Sequence, residues 1–111
     1  MRRGDIVMVC LDPTVGSEMN KTRPCVVVSP DEMNGILKTV NIVPVTSKYR
    51  GIPTRLLLKA TSNSGLDSDS YAALDQIKTI DKIRIVRKRG SVSADEIKNI
   101  CDTLCEMFGL E

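Results

Sequence analysis

Three groups of polar residues lie at the ends of apolar, strand-forming segments, where side chains can be held in fixed positions. Arg23 precedes one such segment, Thr46 and Ser47 end a second, and Asp75 and Gln76 end a third. A guanidinium binds phosphate through two parallel hydrogen bonds, and hydroxyl groups donate to non-bridging phosphate oxygens. If the three segments pack as neighbours, these residues are predicted to surround one cleft suited to a phosphate group.

The same residues also have a purely structural interpretation. An ion pair between Arg23 and Asp75 would fasten the sheet, with Thr46 as an ordinary hydroxyl at a strand end. Ion-pair networks that stabilise a fold resemble active sites in their residue types. Residue types and spacing alone therefore leave both interpretations open.

The composition excludes several classes of site. The 111-residue chain contains no histidine, the most common general base and metal ligand. The four cysteines form no C-x-x-C pair, so a zinc site would need all four to converge. We therefore expect buried free thiols, no metal and no cofactor. With two tyrosines, one phenylalanine and no tryptophan, the chain has few aromatic rings on which single-stranded nucleic acid could stack.

A basic body precedes an acidic C-terminal segment. Residues 1–92 hold 15 Lys and Arg against 9 Asp and Glu, a net charge of +6, whereas residues 93–111 carry −4. A basic body of this kind suggests contact with a polyanion.

The length predicts one domain over residues 1–111. No stretch of about 18 apolar residues is present, so no transmembrane helix is predicted. Charged residues stand near the N-terminus where a signal peptide would need an apolar stretch. We therefore expect a cytoplasmic protein that does not enter a membrane.

Short apolar and β-branched segments separated by turn residues predict a mainly β fold. These segments are 6–11, 25–28, 39–46, 55–58, 70–74 and 77–81. Residues 14–22 are mostly polar and predict an exposed loop, and Pro44 favours an edge strand or a bulge. Several strands joined by turns predict an antiparallel barrel or sandwich.

Only the C-terminal segment has a helical period. Ser93 and Glu96 have the spacing of a capping box, in which each side chain bonds to the backbone amide of the other residue. Apolar residues follow on one helical face, and Gly109 suits the position that ends the helix. The residues of this face are Ile97, Ile100, Cys101, Leu104, Cys105 and Phe108.

These candidate residues lie in a set of motifs that resembles the MazF/PemK (Kid) toxins of type II toxin–antitoxin systems. The matching stretches are R-G-D-I-V at 3–7, L-D-P-T-V-G-S-E at 11–18, K-T-R-P at 21–24, V-V-S-P at 27–30, V-P-V-T-S at 43–47, G-L-D at 65–67 and L-D-Q-I-K-T-I-D-K at 74–82. One such motif alone would be weak. The ordered set spans nearly the whole chain and is specific.

The resemblance implies an SH3-like small antiparallel barrel with a C-terminal helix, paired as a homodimer whose groove takes single-stranded RNA. It also implies a sequence-specific endoribonuclease that needs neither a metal nor the ribosome. In this reaction the ribose 2′-OH attacks the adjacent phosphate, which leaves 2′,3′-cyclic phosphate and 5′-OH ends.

The resemblance assigns catalytic roles to two residues. Arg23 is expected to bind phosphate and take part in proton transfer, and Thr46 to stabilise the crowded phosphorane. Because a guanidinium stays protonated in proteins, we expect the main contribution of Arg23 to be electrostatic. Glu18 matches an acidic residue that has a part in activity in some members, and Asp75 matches one that is a catalytic residue in others. Supporting or RNA-binding roles are expected for Ser17, Glu18, Lys21, Ser47, Asp75 and Gln76.

Two positions depart from the family pattern. Some members have a histidine where this chain has Ser17, and some have an arginine two residues before the D-Q pair, where this chain has Ala73. These differences weaken a mechanism based on His, Arg and Asp and shift weight to Arg23 and Thr46.

The resemblance implies three partners: single-stranded mRNA, a second copy of the chain, and a cognate antitoxin with an acidic tail and apolar anchors. The toxin–antitoxin complex is expected to bind operator DNA through the antitoxin. One alternative is a non-catalytic toxin of the same fold that poisons DNA gyrase through protein contacts. Another is a plain nucleic-acid-binding barrel, which the scarcity of aromatics disfavours. Arg23 and Thr46 at the catalytic motifs favour the nuclease.

Overall fold

The structure, a computed structural model, describes residues 1–109. Within that range the chain forms seven strands, two α-helices and two 3-10 turns. The strands are β1 (Asp5–Cys10), β2 (Thr22–Val27), β3 (Thr39–Thr46), β4 (Arg55–Leu58), β5 (Ser70–Ala73), β6 (Lys78–Asp81) and β7 (Ile85–Ser91). The helices are α1 (Asp31–Ile36) and α2 (Ala94–Met107), and the 3-10 turns span Leu74–Gln76 and Lys82–Arg84.

The strands form one antiparallel sheet with β3 at its centre. The strand order is β4-β5-β3-β2-β1-β7, and β6 also pairs with β3. On the side away from β2, β3 pairs with β6 through residues 39–42 and with β5 through residues 45–46. This sheet and the C-terminal helix confirm the predicted fold class.

Pro44 lies in this central strand, so the predicted edge position is wrong. It is in register with Cys25 of β2. On the other side of β3, Pro44 falls between the residues that pair with β6 and those that pair with β5. A residue without an N–H group is tolerated there because it interrupts no ladder on that side.

Alternation along the strands divides the core into two layers. Ile6 and Val26 point into one layer, which α2 covers with the fully buried Ile100. Their neighbours Val7 and Val27 point into the other layer. The inner strands are therefore apolar on both faces, which explains their continuous apolar runs.

The predicted helix is confirmed, including its capping box: Ser93 and Glu96 each bond to the backbone amide of the other. Its apolar face is only partly buried. Phe108 is 69% exposed and Cys105 is exposed, whereas Met107 packs against the core. Neither helix within residues 1–109 is long and apolar enough to cross a membrane.

The prediction of buried thiols is right for one cysteine and wrong for another. Cys25 is buried, Cys10 and Cys101 are half-buried, and Cys105 is exposed. Burial raises the pKa of the Cys25 thiol to about 12, so this sulfur stays protonated and unreactive at neutral pH.

The sequence does not predict β7, which pairs with β1 at one end of the strand order. Three consecutive basic residues, Arg87, Lys88 and Arg89, interrupt its apolar alternation. Charged side chains suit an edge strand because they discourage pairing with other chains. Strand β7 matters for function, since it supplies Arg89 to the site described below.

Candidate functional site

The register of β2 and β3 brings Arg23 and Thr46 together. The pairing of these antiparallel strands ends at Cys25 and Pro44, and Arg23 and Thr46 each lie two residues beyond that pair, at the same end of the ladder. Both side chains line the same cavity. The structure therefore brings Arg23 and Thr46, from two different strands, to one cavity.

This cavity, called here the Arg55 cavity, has a volume of about 180 Å³. Its lining residues are Ser17, Met19, Arg23, Thr46, Lys48, Arg50, Arg55 and Gln76. Four of them are cations and none is a carboxylate. Asp75 compensates Arg55 from outside this lining, and the other three cations, Arg23, Lys48 and Arg50, give the cavity a positive charge that attracts an anion.

The Arg23 guanidinium is partly restrained and partly free. Its Nε donates to the carbonyl oxygen of Asn20 at 3.0 Å, which fixes the plane of the group. Its two terminal nitrogens donate to no other group in the described part of the chain. They are therefore available to a bound oxyanion.

The Thr46 hydroxyl is held ready to donate. Its Oγ1 accepts the backbone N–H of Lys48 at 3.2 Å. Because that bond uses an acceptor site, the hydroxyl hydrogen stays free for a ligand in the cavity. A restrained cation and a free hydroxyl donor therefore converge on the same space.

Asp75 pairs with Arg55, so the structural alternative left open by the sequence, an ion pair between Arg23 and Asp75, is wrong. Arg55 Nε and Nη2 donate to the two carboxylate oxygens at 2.7 and 2.9 Å, and Thr54 donates at 3.2 Å. The Arg55 side chain is only 7% exposed. Hydrogen bonds from Arg55 hold the pKa of Asp75 below its usual range, so this carboxylate is charged at neutral pH.

The strand order explains this pairing. Asp75 follows β5, whose neighbour β4 begins at Arg55, and Arg55 is in register with Ala73. Arg23 lies on β2, with β3 between it and β5. The guanidinium beside Asp75 therefore comes from Arg55, which lies opposite Ala73 on the neighbouring strand. The residues next to the D-Q pair in the sequence do not indicate this partner.

Gln76 ties the loop of residues 11–21 to the site. Its Oε1 accepts the N–H of Met19 at 3.2 Å, and its Nε2 donates to the Ser17 carbonyl oxygen at 3.5 Å. Within the loop, the Glu18 carboxylate accepts the N–H of Val15 at 2.8 Å. Glu18 therefore shapes the loop, and Gln76 anchors it beside Arg23.

The remaining predicted residues are distributed around this centre. Glu18 and Asp75 line a neighbouring cavity of about 370 Å³ under the loop. Lys21 has a left-handed backbone with φ of 64°, and its amide donates to Asp12. Its side chain lines neither the Arg55 cavity nor the two cavities beside it.

A further cavity of about 380 Å³, called here the Arg89 cavity, adjoins the Arg55 cavity and shares Arg23, Thr46 and Lys48 with it. Ser47, which directly follows β3, lines it. Its other polar lining comes from Asp67, Ser68, Ser70 and Arg89. Sequence reasoning missed Arg89 because it missed β7.

No three His, Cys, Asp or Glu side chains among residues 1–109 lie close enough to one another to hold a metal ion. The polar groups at the centre of the site are instead guanidinium, ammonium, hydroxyl and amide groups. This set is suited to binding an anionic ester.

Comparison with known proteins identifies the family to which the chain is similar. Residues 2–108 match the family described as PemK-like, MazF-like toxins of type II toxin–antitoxin systems. The chain is 42% identical over 110 residues to endoribonuclease MazF9 of Mycobacterium tuberculosis, covering 94% of this chain and 92% of that protein. It is 34% identical over 112 residues to endoribonuclease MazF of Staphylococcus saprophyticus, covering 99% and 92%.

Solved structures have the same fold. MazF from Deinococcus radiodurans superposes with a TM-score of 0.86 at 25% identity, covering 99% of this chain and 97% of that one. A mycobacterial endoribonuclease in complex with its cognate antitoxin gives a TM-score of 0.81 at 24% identity, covering 100% and 97%.

Proposed function

Because this chain belongs to the PemK-like, MazF-like toxins of type II toxin–antitoxin systems, we propose that it is an endoribonuclease that cuts single-stranded mRNA at the Arg55 cavity. One observation carries the assignment of the site. Arg23 and Thr46 lie on adjacent strands and line one cationic cavity, with donor groups free to bind a phosphate.

The reaction uses a nucleophile that the substrate itself supplies. The ribose 2′-OH loses its proton and attacks the adjacent phosphorus, and the bond from phosphorus to the 5′-oxygen breaks. The leaving oxygen takes up a proton, so the products are a 2′,3′-cyclic phosphate and a 5′-OH, and no water is consumed. The protein therefore needs no nucleophilic side chain, and its task is to stabilise the charge that develops on the phosphorane.

Arg23 and Thr46 divide that task. Arg23 places its free terminal N–H groups on the non-bridging oxygens, where charge increases in the transition state. Thr46 donates its hydroxyl hydrogen to the same group. Since a guanidinium stays protonated in proteins, the role assigned to Arg23 is electrostatic rather than that of a base.

The other site residues position the substrate or the loop. Asp75 holds Arg55 in place and stays charged, so it acts as a positioning residue and not as a proton donor. Gln76 anchors the loop that carries Ser17 and Glu18. We assign RNA-backbone contacts to Ser47 and Lys48, which line the Arg89 cavity, and to Lys21, an exposed residue of the loop two positions before Arg23.

We assign to the protein a homodimeric state, a cytoplasmic location and inhibition by an acidic antitoxin tail. The toxin–antitoxin complex would bind operator DNA through the antitoxin. Two structural neighbours support the antitoxin assignment: one is an endoribonuclease with its cognate antitoxin, and another is a MazE–MazF complex from Deinococcus radiodurans. The +6 charge of residues 1–92 would attract such a tail as it attracts RNA.

Occlusion of the site by the antitoxin has a direct test in hydrogen exchange. Binding of the antitoxin should protect the loop of residues 11–21 and the backbone around Arg23 and Thr46. Protection confined to α2 would contradict direct occlusion.

Incubation of the purified chain with a long RNA in EDTA tests the nuclease against its main rival, a gyrase poison of the same fold. Cleavage into fragments with 2′,3′-cyclic phosphate ends is the expected result. Intact RNA combined with inhibition of DNA supercoiling would support the rival. The Arg23→Ala variant serves as the control for contaminating ribonuclease.

A further inference from the structure

The Arg89 cavity differs from the Arg55 cavity because its lining includes a carboxylate. Asp67 faces this space together with three serine hydroxyls and the Arg89 guanidinium. The two cavities share Arg23 and Thr46, so the Arg89 cavity adjoins the place assigned to the phosphate.

Arg89 is held in a fixed orientation. Its Nε donates to the Gly65 carbonyl oxygen at 2.6 Å, and its Nη2 lies 3.0 Å from Asp67 Oδ2. Its Nη1 lies 3.8 Å from the sulfur of Met8. The side chain is 17% exposed. The Arg89 side chain is therefore held in place. Its ion pair with Asp67 in turn orients that carboxylate.

Two glycines allow the backbone to approach closely enough for this arrangement. A Cβ on Gly65, whose φ is +67°, would overlap the carbonyl oxygen of Arg89, and a Cβ on Gly90 would overlap that of Asn63. The backbone N–H of Ser91 also donates to the Asn63 oxygen at 2.9 Å. The segment that carries Asp67 is thus fastened to β7.

Arg89 binds Oδ2 of Asp67, but the carboxylate is 94% exposed beside the residues assigned to the phosphate, so it can accept a further donor. The edges of nucleobases supply such donors, and proteins that read single-stranded RNA bind those edges. A carboxylate accepts from an exocyclic amino group, as Asp and Glu do from cytosine N4.

We propose that Asp67, oriented by Arg89, reads the edge of a nucleobase next to the scissile phosphate and selects a base with an exocyclic amino group. This inference rests on the proposed endoribonuclease function. Uracil is disfavoured at the position because its carbonyl oxygens would face the carboxylate. The cavity volume of about 380 Å³ lies within the range of small-ligand pockets.

The test is cleavage of a random pool of short single-stranded RNAs, with sequencing of the ends, by the wild-type chain and by Asp67→Asn. We expect the wild type to prefer amino-bearing bases at one position beside the cut. In Asp67→Asn, the ratio of cleavage between amino-bearing and other bases at this position should fall by roughly 5- to 150-fold. Base preference at the other positions should not change.

Asp69→Asn is the matched control, because it removes the same charge from the same loop at a carboxylate that binds Lys59 and the Ala60 amide outside this cavity. A second measurement separates recognition from folding. Replacing the preferred base by its analogue without the amino group should reduce kcat/KM for the wild type but not for Asp67→Asn.

Each outcome decides a different point. If Asp67→Asn changes kcat/KM equally for all sequences, or leaves the preference intact, the base-reading role is wrong and Asp67 only partners Arg89. If the analogue lowers kcat/KM equally in both proteins, the amino group is read elsewhere. If the wild type cleaves no RNA, the proposed function fails, and the subsite fails with it.

Discussion

The two cavities that meet at Arg23 and Thr46 differ in the charges that surround them. The Arg55 cavity has four cations among its lining residues and no carboxylate, because the partner of Arg55, Asp75, lines the adjacent cavity. The Arg89 cavity keeps the carboxylate partner of its arginine, Asp67, among its lining residues. The first arrangement favours any phosphate, whereas the second offers acceptors as well as donors. Affinity and sequence preference should therefore respond to different substitutions.

Arg23→Ala should have the largest effect, because Arg23 lines both cavities and carries the free donors. Loss of one preorganised transition-state donor lowers kcat by about 10²–10³-fold. Single-turnover cleavage of one RNA measures this loss. Arg87→Ala is the matched control, because it removes an exposed arginine of β7 that lines neither cavity. Near-normal cleavage by a folded Arg23→Ala protein would remove Arg23 from the mechanism.

Thr46→Ala should reduce kcat less, by roughly tenfold, since a neutral hydroxyl donates more weakly to phosphate than a guanidinium and contributes about 1.5 kcal/mol. Thr46→Ser keeps the hydroxyl and should retain most activity. Comparing the two variants separates the donated hydrogen bond from the packing of the methyl group. Equal losses in both would assign the effect to packing at the end of β3.

Asp75→Asn distinguishes positioning from proton transfer. Hydrogen bonds from Arg55 lower the pKa of Asp75, so its stabilising charge is present above the ordinary carboxyl pKa of about 3.9 and is lost only as the pH falls through the lowered value. No limb of the pH–rate profile between about pH 5 and 8 should then belong to Asp75.

We therefore expect Asp75→Asn to keep the shape of that profile. Its free energy of unfolding should fall by roughly 1 kcal/mol, because the pair is partly exposed and the asparagine amide directs a donor toward Arg55. Denaturant titration measures this change, with Asp102→Asn on α2 as the control. A limb that disappears in Asp75→Asn would instead identify the residue as an acid or base.

The same contrast between the cavities shows what sequence patterns can and cannot predict. The capping box of α2 and the exposed loop before β2 depend on neighbouring residues, so local chemistry is enough to place them. The identity of the Asp75 partner depends on strand order, which places Arg55 next to Asp75 and Arg23 two strands away. No spacing in the sequence contains that information.

The Arg89 cavity was missed for a different reason. Strand prediction relies on apolar alternation, and β7 carries basic residues along its centre. Its place in the sheet is set by pairing with β1 and by the close approach of Gly90 to the segment at Asn63. These are contacts between residues far apart in the chain, so only the folded structure brings Arg89 to Asp67.

Lys48→Gln should have the smallest effect. Because Lys48 lines both cavities, this variant tests whether one RNA strand passes through both of them. If one RNA strand runs through both, loss of a single phosphate contact should reduce the slope of log affinity against log salt by about 0.7. With this smaller slope, raising the salt from 50 to 200 mM weakens RNA binding roughly 2.5-fold less in Lys48→Gln than in the wild type. Binding of an uncleavable RNA with a 2′-deoxyribose at the cut site measures it.

Lys98→Gln, on the acidic helix α2, is the matched control for this measurement. Asp67→Asn provides the opposite comparison, since it removes a base contact and should leave the salt slope unreduced. Equal slopes for Lys48→Gln and Lys98→Gln would mean that the RNA backbone does not pass Lys48. The strand would then have to leave the Arg55 cavity by another route, and the Arg89 cavity would lose its place beside the cut.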